Sequence, residues 1–328
     1  MSNLGFWAKF QKPIFCLAPM ADVTDCAFRQ IIAKYSFGPN TRPTERSFGR
    51  VFFTEFVSAD GLAHPDAREK LLIDLKYGEN ERPIVAQIFG GKPENIKIAS
   101  ALCKDLGFDG IDINMGCPDK TIEKQCAGAA MMKDYKLARE IICAAKEGAG
   151  GLPISVKTRI GYNKIDLEWV RELLKEDLAA LILHLRTRKE MSNVPAHWEV
   201  MKRIMEIRDE IYSATGGVGE KTLILGNGDV VNIDDARRKC EEFGCDGVML
   251  GRAIFGNPWL FANLACVKHN CQVEHPVSNL PNNTEKKLEK DKNKISLATQ
   301  SRNSAEHSEC VACIQSSKFG TGVSIEER

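Results

Sequence analysis

No apolar run in the 328-residue chain approaches the roughly 18 to 20 residues of a membrane span, because a charge, Gly or Pro interrupts each one. A spanning helix is therefore not expected. An excess of one charge is also missing, since 45 Lys and Arg stand against 44 Asp and Glu, a net of +1. No global field draws such a chain to a polyanion or a lipid surface, so any site of that kind must be local. The opening MSNLGFWAKFQKP has neither the continuous apolar stretch nor the small-residue cleavage site of a secretory leader. The expected compartment is the cytoplasm. Most of the 12 cysteines then read as reduced packing residues, with Cys16, Cys103, Cys143 and Cys240 set in apolar strand and helix patterns. Global disorder is excluded as well: hydrophobic residues make up 43%, and a chain of this length buries a sizeable core.

What the sequence has is alternation. Short β-branched runs occur at Ile14 to Ala18, Val51 to Phe56, Ile84 to Phe89, Gly110 to Asn114, Ile154 to Thr158, Leu181 to His184, Thr222 to Leu225 and Gly247 to Leu250. Between them lie helical patterns such as Pro93 to Leu106, Tyr135 to Glu147, Leu167 to Lys175, His197 to Tyr212 and Asp234 to Phe243. Eight strands with intervening helices over about 250 residues predict an α/β fold, a (β/α)8 barrel. Gly38 to Arg50, with Pro, Gly and three arginines, predicts an exposed loop insertion. The barrel is assigned to residues 1–265 and a polar, largely disordered tail to 266–328. Cys266, His269, Cys271, His275, His307, Cys310 and Cys313 lie in that tail, but only one CxxC occurs and some 40 residues separate the halves. No metal site is expected.

Active sites of such barrels sit at the C-terminal ends of the strands. Seven of the eight ends carry unusual polar or turn residues: Pro19-Met20-Ala21, Gln87, Asn114 with Cys117, Lys157 with Arg159, His184, Asn227-Gly228-Asp229 and Gly251-Arg252. The last two fall where barrels commonly bind phosphate through backbone N–H groups and a positive side chain. Lys157, on an apolar strand, needs either a salt-bridge partner or an electron-rich ligand.

The motifs APMADVTDCAFR (18–29), TEFVSADGL (54–62), QIFG (87–90), GFDGIDINMGCPD (107–119), SVKTRIG (155–161), HLRTRKEMSNVPAHW (184–198), LGNGDV (225–230) and DGVMLGRAIFGNPWLF (246–261) resemble the tRNA-dihydrouridine synthases in family order. That resemblance implies an FMN-dependent oxidoreductase that reduces the C5–C6 double bond of specific uridines in tRNA, with NADPH or NADH reloading the flavin. It implies that Pro19, Met20 and Ala21 line the flavin and that Gln87 and Lys157 contact its rings. His184 would stand near the same flavin, and Asn227, Gly228, Asp229, Gly251 and Arg252 would hold its phosphate. Asn114 and Arg159 would face the base, and Cys117 would donate a proton to C5 while a hydride reaches C6. A thiol suits that role, because its ordinary pKa near ~8.5 keeps it protonated at neutral pH. The partner implied is tRNA, with no membrane and no stable protein partner. Two other readings remain: a non-catalytic RNA-binding barrel, and an FMN reductase of a small molecule. The chain departs from the family in the 38–50 insertion, in a tail without the usual C-terminal helical tRNA-binding domain, and in Leu185. Relatives have a small residue after the histidine, so Leu185 is expected to add bulk on the flavin phosphate side.

Overall fold

Each β-branched run forms a strand, and the strands close on themselves. In the computed structural model residues 3–36, 50–262 and 264 are described, all within the first of two units, Met1–His269 and Asn270–Arg328. The strands are β1 (Ile14–Leu17), β2 (Arg50–Phe53), β3 (Val57–Ser58), β4 (Ile84–Phe89), β5 (Gly110–Met115), β6 (Ile154–Arg159), β7 (Ala180–His184), β8 (Leu223–Asn227) and β9 (Gly247–Leu250). All pair in parallel in the order β2-β1-β9-β8-β7-β6-β5-β4-β3, and a β2–β4 pairing closes the ring. The expected (β/α)8 barrel is therefore present.

Its second staff is broken where the sequence suggested one strand from Val51 to Phe56. Phe53 pairs with Val85 and Val57 with Ile88, so four steps on one side face three on the other. The extra residue is a bulge, and the Thr54 hydroxyl fills the gap by accepting the Gln87 N–H at 3.0 Å.

The helices between strands are α1 (Cys26–Ser36), α2 (Ala59–Ala63), α3 (Pro65–Leu71), α4 (Pro93–Asp105), α5 (Lys120–Glu123), α6 (Tyr135–Ala149), α7 (Leu167–Leu174), α8 (Met201–Ala214) and α9 (Ile233–Phe243). Side-chain caps set several starts: Asp119, Asp134, Asp166 and Asn232 accept N–H groups of the first turns of α5, α6, α7 and α9. Left-handed Gly150 and Gly244 end α6 and α9. Ile113, Ile141, Val156, Trp169, Leu181 and Ile204 belong to the buried layer between barrel and helices. Ile14, Cys16, Phe53, Val85, Leu225 and Met249 belong to a separate cluster filling the lower barrel.

Three expectations need correction or a boundary. Cys143, on α6, is exposed rather than buried, whereas Cys16, Cys103 and Cys240 are buried and all eight described cysteines are free. The proposed 38–50 loop lies outside the described residues except for Arg50, which is buried in β2. The tail assigned to 266–328, with its cysteines and histidines, also lies outside them.

Candidate active site

Strand register carries a set of polar residues to the C-terminal mouth. Gln87 pairs with Asp112, Asn114 with Lys157, Arg159 with His184, and His184 with Asn227. Alternation along each strand keeps such residues on the inward rows, above the apolar barrel floor. Between the ends of β1 and β6–β9, Lys157, His184 and Asn227 of this set line a cavity of about 580 Å3, within the range of cofactor pockets. Of the residues singled out from sequence, Pro19, Met20, Lys157, His184, Asn227, Gly228, Asp229, Gly251 and Arg252 line it. Ala21 is exposed outside it, and Gln87, Asn114, Arg159 and Cys117 are not among its lining residues. Leu185 adds no bulk there: it is fully buried in the layer between barrel and helices, so the expected crowding does not occur.

The Pro19-Met20 turn is pinned by Thr24, whose hydroxyl accepts the Met20 N–H at 2.9 Å. Across the cavity, Asp229 organises two guanidiniums. One carboxylate oxygen accepts from Arg186 Nη2 and the Ala196 N–H, and the other from Arg252 Nη2 at 3.0 Å. Burial pulls this carboxyl up, but these bonds and both arginine charges hold it below the usual carboxylate range. Gly228 is required here by space as well as by its φ of 127°, since a Cβ would lie 2.8 Å from that of Ala196. The N–H groups of Asp229, Val230, Arg252 and Ala253 donate to no acceptor among the described residues.

Arg186 also donates from Nη1 to His184 Nε2 at 3.1 Å. A guanidinium has no acceptor to offer, so Nε2 is the lone-pair nitrogen and the proton resides on Nδ1. Burial, reinforced by Lys157, Arg159 and Arg186, pushes the His184 pKa down to about 2, and the ring is neutral. Lys157 makes no hydrogen bond or ion pair among the described residues, so the salt-bridge alternative for it is not realised. Burial and the Arg159 charge bring its ammonium down to about 8, with Asp112 and Cys117 opposing.

Beside the cavity a chain of side-chain bonds climbs to Cys117. Ser155 Oγ and Gln87 Nε2 donate to Asp112 at 2.6 and 2.7 Å, and Asn114 Nδ2 donates to Gln87 Oε1 at 3.1 Å. Asn114 Oδ1 then accepts the N–H groups of Gly116 and Cys117 at 3.0 and 2.9 Å. Burial raises the Asp112 carboxyl to about 6, with Ser155, Gln87 and Lys157 opposing. Arg159 is buried and donates to the carbonyls of Gly116, Thr187 and Met191 at 3.1, 3.1 and 2.9 Å. Cys117 is half-buried among Phe56, Phe89, Ile122 and Ala127. Burial pushes its thiol above the ordinary value, against the Asp119 N–H and the Arg159 and Lys157 charges.

A family model described as dihydrouridine synthase matches residues 16–316. A probable tRNA-dihydrouridine synthase 2 of Bacillus subtilis (strain 168) is 43% identical over 259 residues, which cover 78% of this chain and 74% of that protein. A probable tRNA-dihydrouridine synthase of Staphylococcus aureus (strain COL) is 42% identical over 259 residues, covering 78% and 73%. The chain belongs to the dihydrouridine synthase family. Among solved structures, a 2-naphthoyl-CoA reductase with bound 2-naphthoyl-CoA matches at a TM-score of 0.52 and 11% identity, over 76% of this chain and 49% of that one. That likeness concerns the fold alone.

The cavity and its surroundings contain residues that sequence reasoning passed over. Arg186 sits two residues past His184 and binds both His184 and Asp229, while Asp112 lies on the same inward row as Asn114. Both were discoverable, since an i+2 step from a residue already placed inside a barrel points to the same side. Ser192 lines the cavity from a loop, where no periodicity gives its position.

Proposed function

We propose that this dihydrouridine synthase reduces the C5–C6 double bond of uridine in tRNA, with FMN in the cavity, NADPH or NADH as reductant, and Cys117 as proton donor. One observation carries the reading. Arg186, Arg252 and Lys157 line the cavity with three cations against the single lining carboxylate of Asp229, leaving a net of +2 and four backbone N–H groups without acceptors among the described residues. A phosphate dianion with an electron-rich ring attached fits that combination.

In this reading Asp229, Val230, Arg252 and Ala253 offer backbone N–H groups to the phosphate, and Asp229 aims Arg252 and Arg186. Lys157 and the neutral His184, whose Nδ1–H has no partner among the described residues, face the ring system with Pro19, Met20, Asn227, Gly228 and Gly251 around it. Gln87 supports Asn114 by accepting its Nδ2–H, and Ala21 lies outside the cavity. When bound and reduced, FMN would supply the hydride for C6 of the base. Cys117 keeps its proton at neutral pH and gives it to C5, and Asn114 and Arg159 fix the loop that carries the thiol while bordering the base. The uridine must leave the tRNA stack to reach this depth, at a cost of about a few kcal/mol that contacts to the RNA backbone must offset.

The test uses the full purified chain with FMN, NADPH and tRNA lacking dihydrouridine, followed by mass spectrometry of the nucleosides. Uridines that gain two hydrogens are the expected result. A yellow protein that oxidises NADPH with a small enone or pyrimidine and leaves tRNA unchanged would show a small-molecule reductase. A colourless protein that retards tRNA on a gel would show the non-catalytic barrel.

A further inference from the structure

The short loop Gly116-Cys117-Pro118 has its backbone polar groups tied from four directions. Asn114 accepts two of its N–H groups, Arg159 Nε holds the Gly116 carbonyl, and the Ala129 N–H holds the Cys117 carbonyl at 2.9 Å. The fourth tie comes from far along the chain, where Arg188 Nη2 donates to the Pro118 carbonyl at 3.2 Å. The same guanidinium grips Glu123 with both arms, Nε to Oε1 at 2.7 Å and Nη2 to Oε2 at 3.0 Å. Tyr162 adds its hydroxyl to Glu123 Oε2 at 3.2 Å, and the Lys133 ammonium lies 3.8 Å from the centre of the Tyr162 ring. Arg188 is itself held by its N–H to the Gly161 carbonyl at 2.9 Å.

Glu123 ends α5, whose first turn is capped by Asp119, two residues after Cys117. The Arg188–Glu123 pair therefore closes a bracket around the thiol: Nη2 is shared between the Pro118 carbonyl and Glu123 at the far end of the following helix, and Nε holds Glu123 as well. The pair is bidentate, and Glu123 is well shielded, with its side chain 13% exposed, unlike the exposed pairs that contribute little. Neither residue lines the cavity beside the barrel axis.

We propose that Arg188, oriented by Glu123, is a positioning residue for the Cys117 thiol, fixing its aim and its shelter from water without touching flavin or RNA. This rests on the proton-donor reading of Cys117, but one arm of its test does not. Arg188→Gln, Arg188→Lys and Glu123→Gln are made in the full chain, and alkylation of Cys117 by iodoacetamide is followed by peptide mass spectrometry, with exposed Cys143 as internal reference. Release of the bracket should raise the Cys117 rate at pH 8 at least fivefold in Arg188→Gln and about twofold in Glu123→Gln, leaving Cys143 unchanged. In the second arm, flavin reduction by NADPH should stay within twofold of the parent. Single-turnover uridine reduction should fall 30- to 100-fold in Arg188→Gln with an unchanged tRNA KM and a larger solvent isotope effect, and Arg188→Lys should recover part of it. Unchanged alkylation in all three folded variants would overturn the proposal, whatever the activity. A raised, salt-dependent tRNA KM with normal single-turnover chemistry would make Arg188 an RNA-phosphate ligand and overturn it too. A parent enzyme that forms no dihydrouridine would fail the functional reading, while the alkylation arm would still decide the bracket.

Discussion

The two ends of the barrel treat charge in opposite ways. At the end where the strands begin, each key charge is answered within the protein. Asp246, just before β9, meets Lys12 at 2.6 Å, Arg208 at 2.7 Å and the Ile224 N–H at 2.8 Å. Asp109, just before β5, repeats the device with Arg82 at 3.0 Å and the Ile84 N–H at 2.8 Å. At the end where the strands finish, neither Lys157 nor the N–H groups of two loops have a partner among the described residues, and burial, reinforced by nearby cations, keeps His184 neutral. Satisfied groups at one end hold the ring together. Groups left without protein partners at the other are available to a ligand, so the proposed function puts binding at the mouth and stability at the base.

That division is broken most forcefully at the thiol. Cys117→Ala should leave flavin retention within twofold and lower single-turnover uridine reduction by about 10²- to 10⁴-fold, the span of a lost general acid. Normal turnover in the variant would take Cys117 out of the chemistry. The matching cut at the base is Asp246→Ala, which strands Arg208 and the Ile224 N–H. Urea unfolding should report a loss of about 3 kcal/mol, with flavin affinity unchanged; a loss confined to flavin affinity would erase the contrast between the ends. His184 gives a pH signature of intermediate size. Its pKa is about 2 in the folded protein and ordinary when unfolded, so the unfolded chain alone takes up a proton as pH falls below about 6.5. Stability carried by this ring is complete above that pH and falls below it, by about 2 kcal/mol between pH 7 and pH 5. Denaturation at the two pH values, in parent and in His184→Asn, checks this, and equal slopes in both would show that the ring is not buried neutral.

The base was legible in the sequence only as architecture, the mouth as chemistry. Alternating β-branched runs gave all eight staves, because a strand buried on both faces admits little else. The break at Thr54 was not legible: a hydroxyl substituting for a ladder partner looks like any Thr in a strand. Glycines 228 and 251 announced one wall of the cavity, because a turn, an Asp and an Arg follow strand ends in a fixed order. Arg159 shows the opposite case. Its residue type and position suggested the substrate, yet its bonds to Gly116, Thr187 and Met191 spend it largely on loop geometry, which depends on residues some 30 to 40 positions away. Arg29 closes the APMADVTDCAFR motif and pairs with buried Glu81 at 2.6 Å, so a stretch that resembles a flavin-binding segment ends in a structural clamp.

The smallest effect sharpens the comparison most, because stability and binding should move in opposite directions. Lys157→Met removes a desolvated ammonium that has no hydrogen bond or ion pair among the described residues, so the flavin-free protein should gain about 1 kcal/mol in urea unfolding. FMN should bind about tenfold more weakly, the loss of about 1.4 kcal/mol of charge attraction. In the parent the ammonium titrates near 8, charged below and neutral above. If its charge is worth tenfold in affinity, the charged fraction falling from about nine-tenths at pH 7 to one-tenth at pH 9 weakens FMN binding about fivefold. The curve should break near pH 8, and the break should vanish in Lys157→Met. Fluorescence titration of FMN across that range measures both. A parent whose affinity is flat from pH 7 to pH 9 would mean that the ammonium is answered inside the protein, and the mouth would then differ from the base less than its geometry implies.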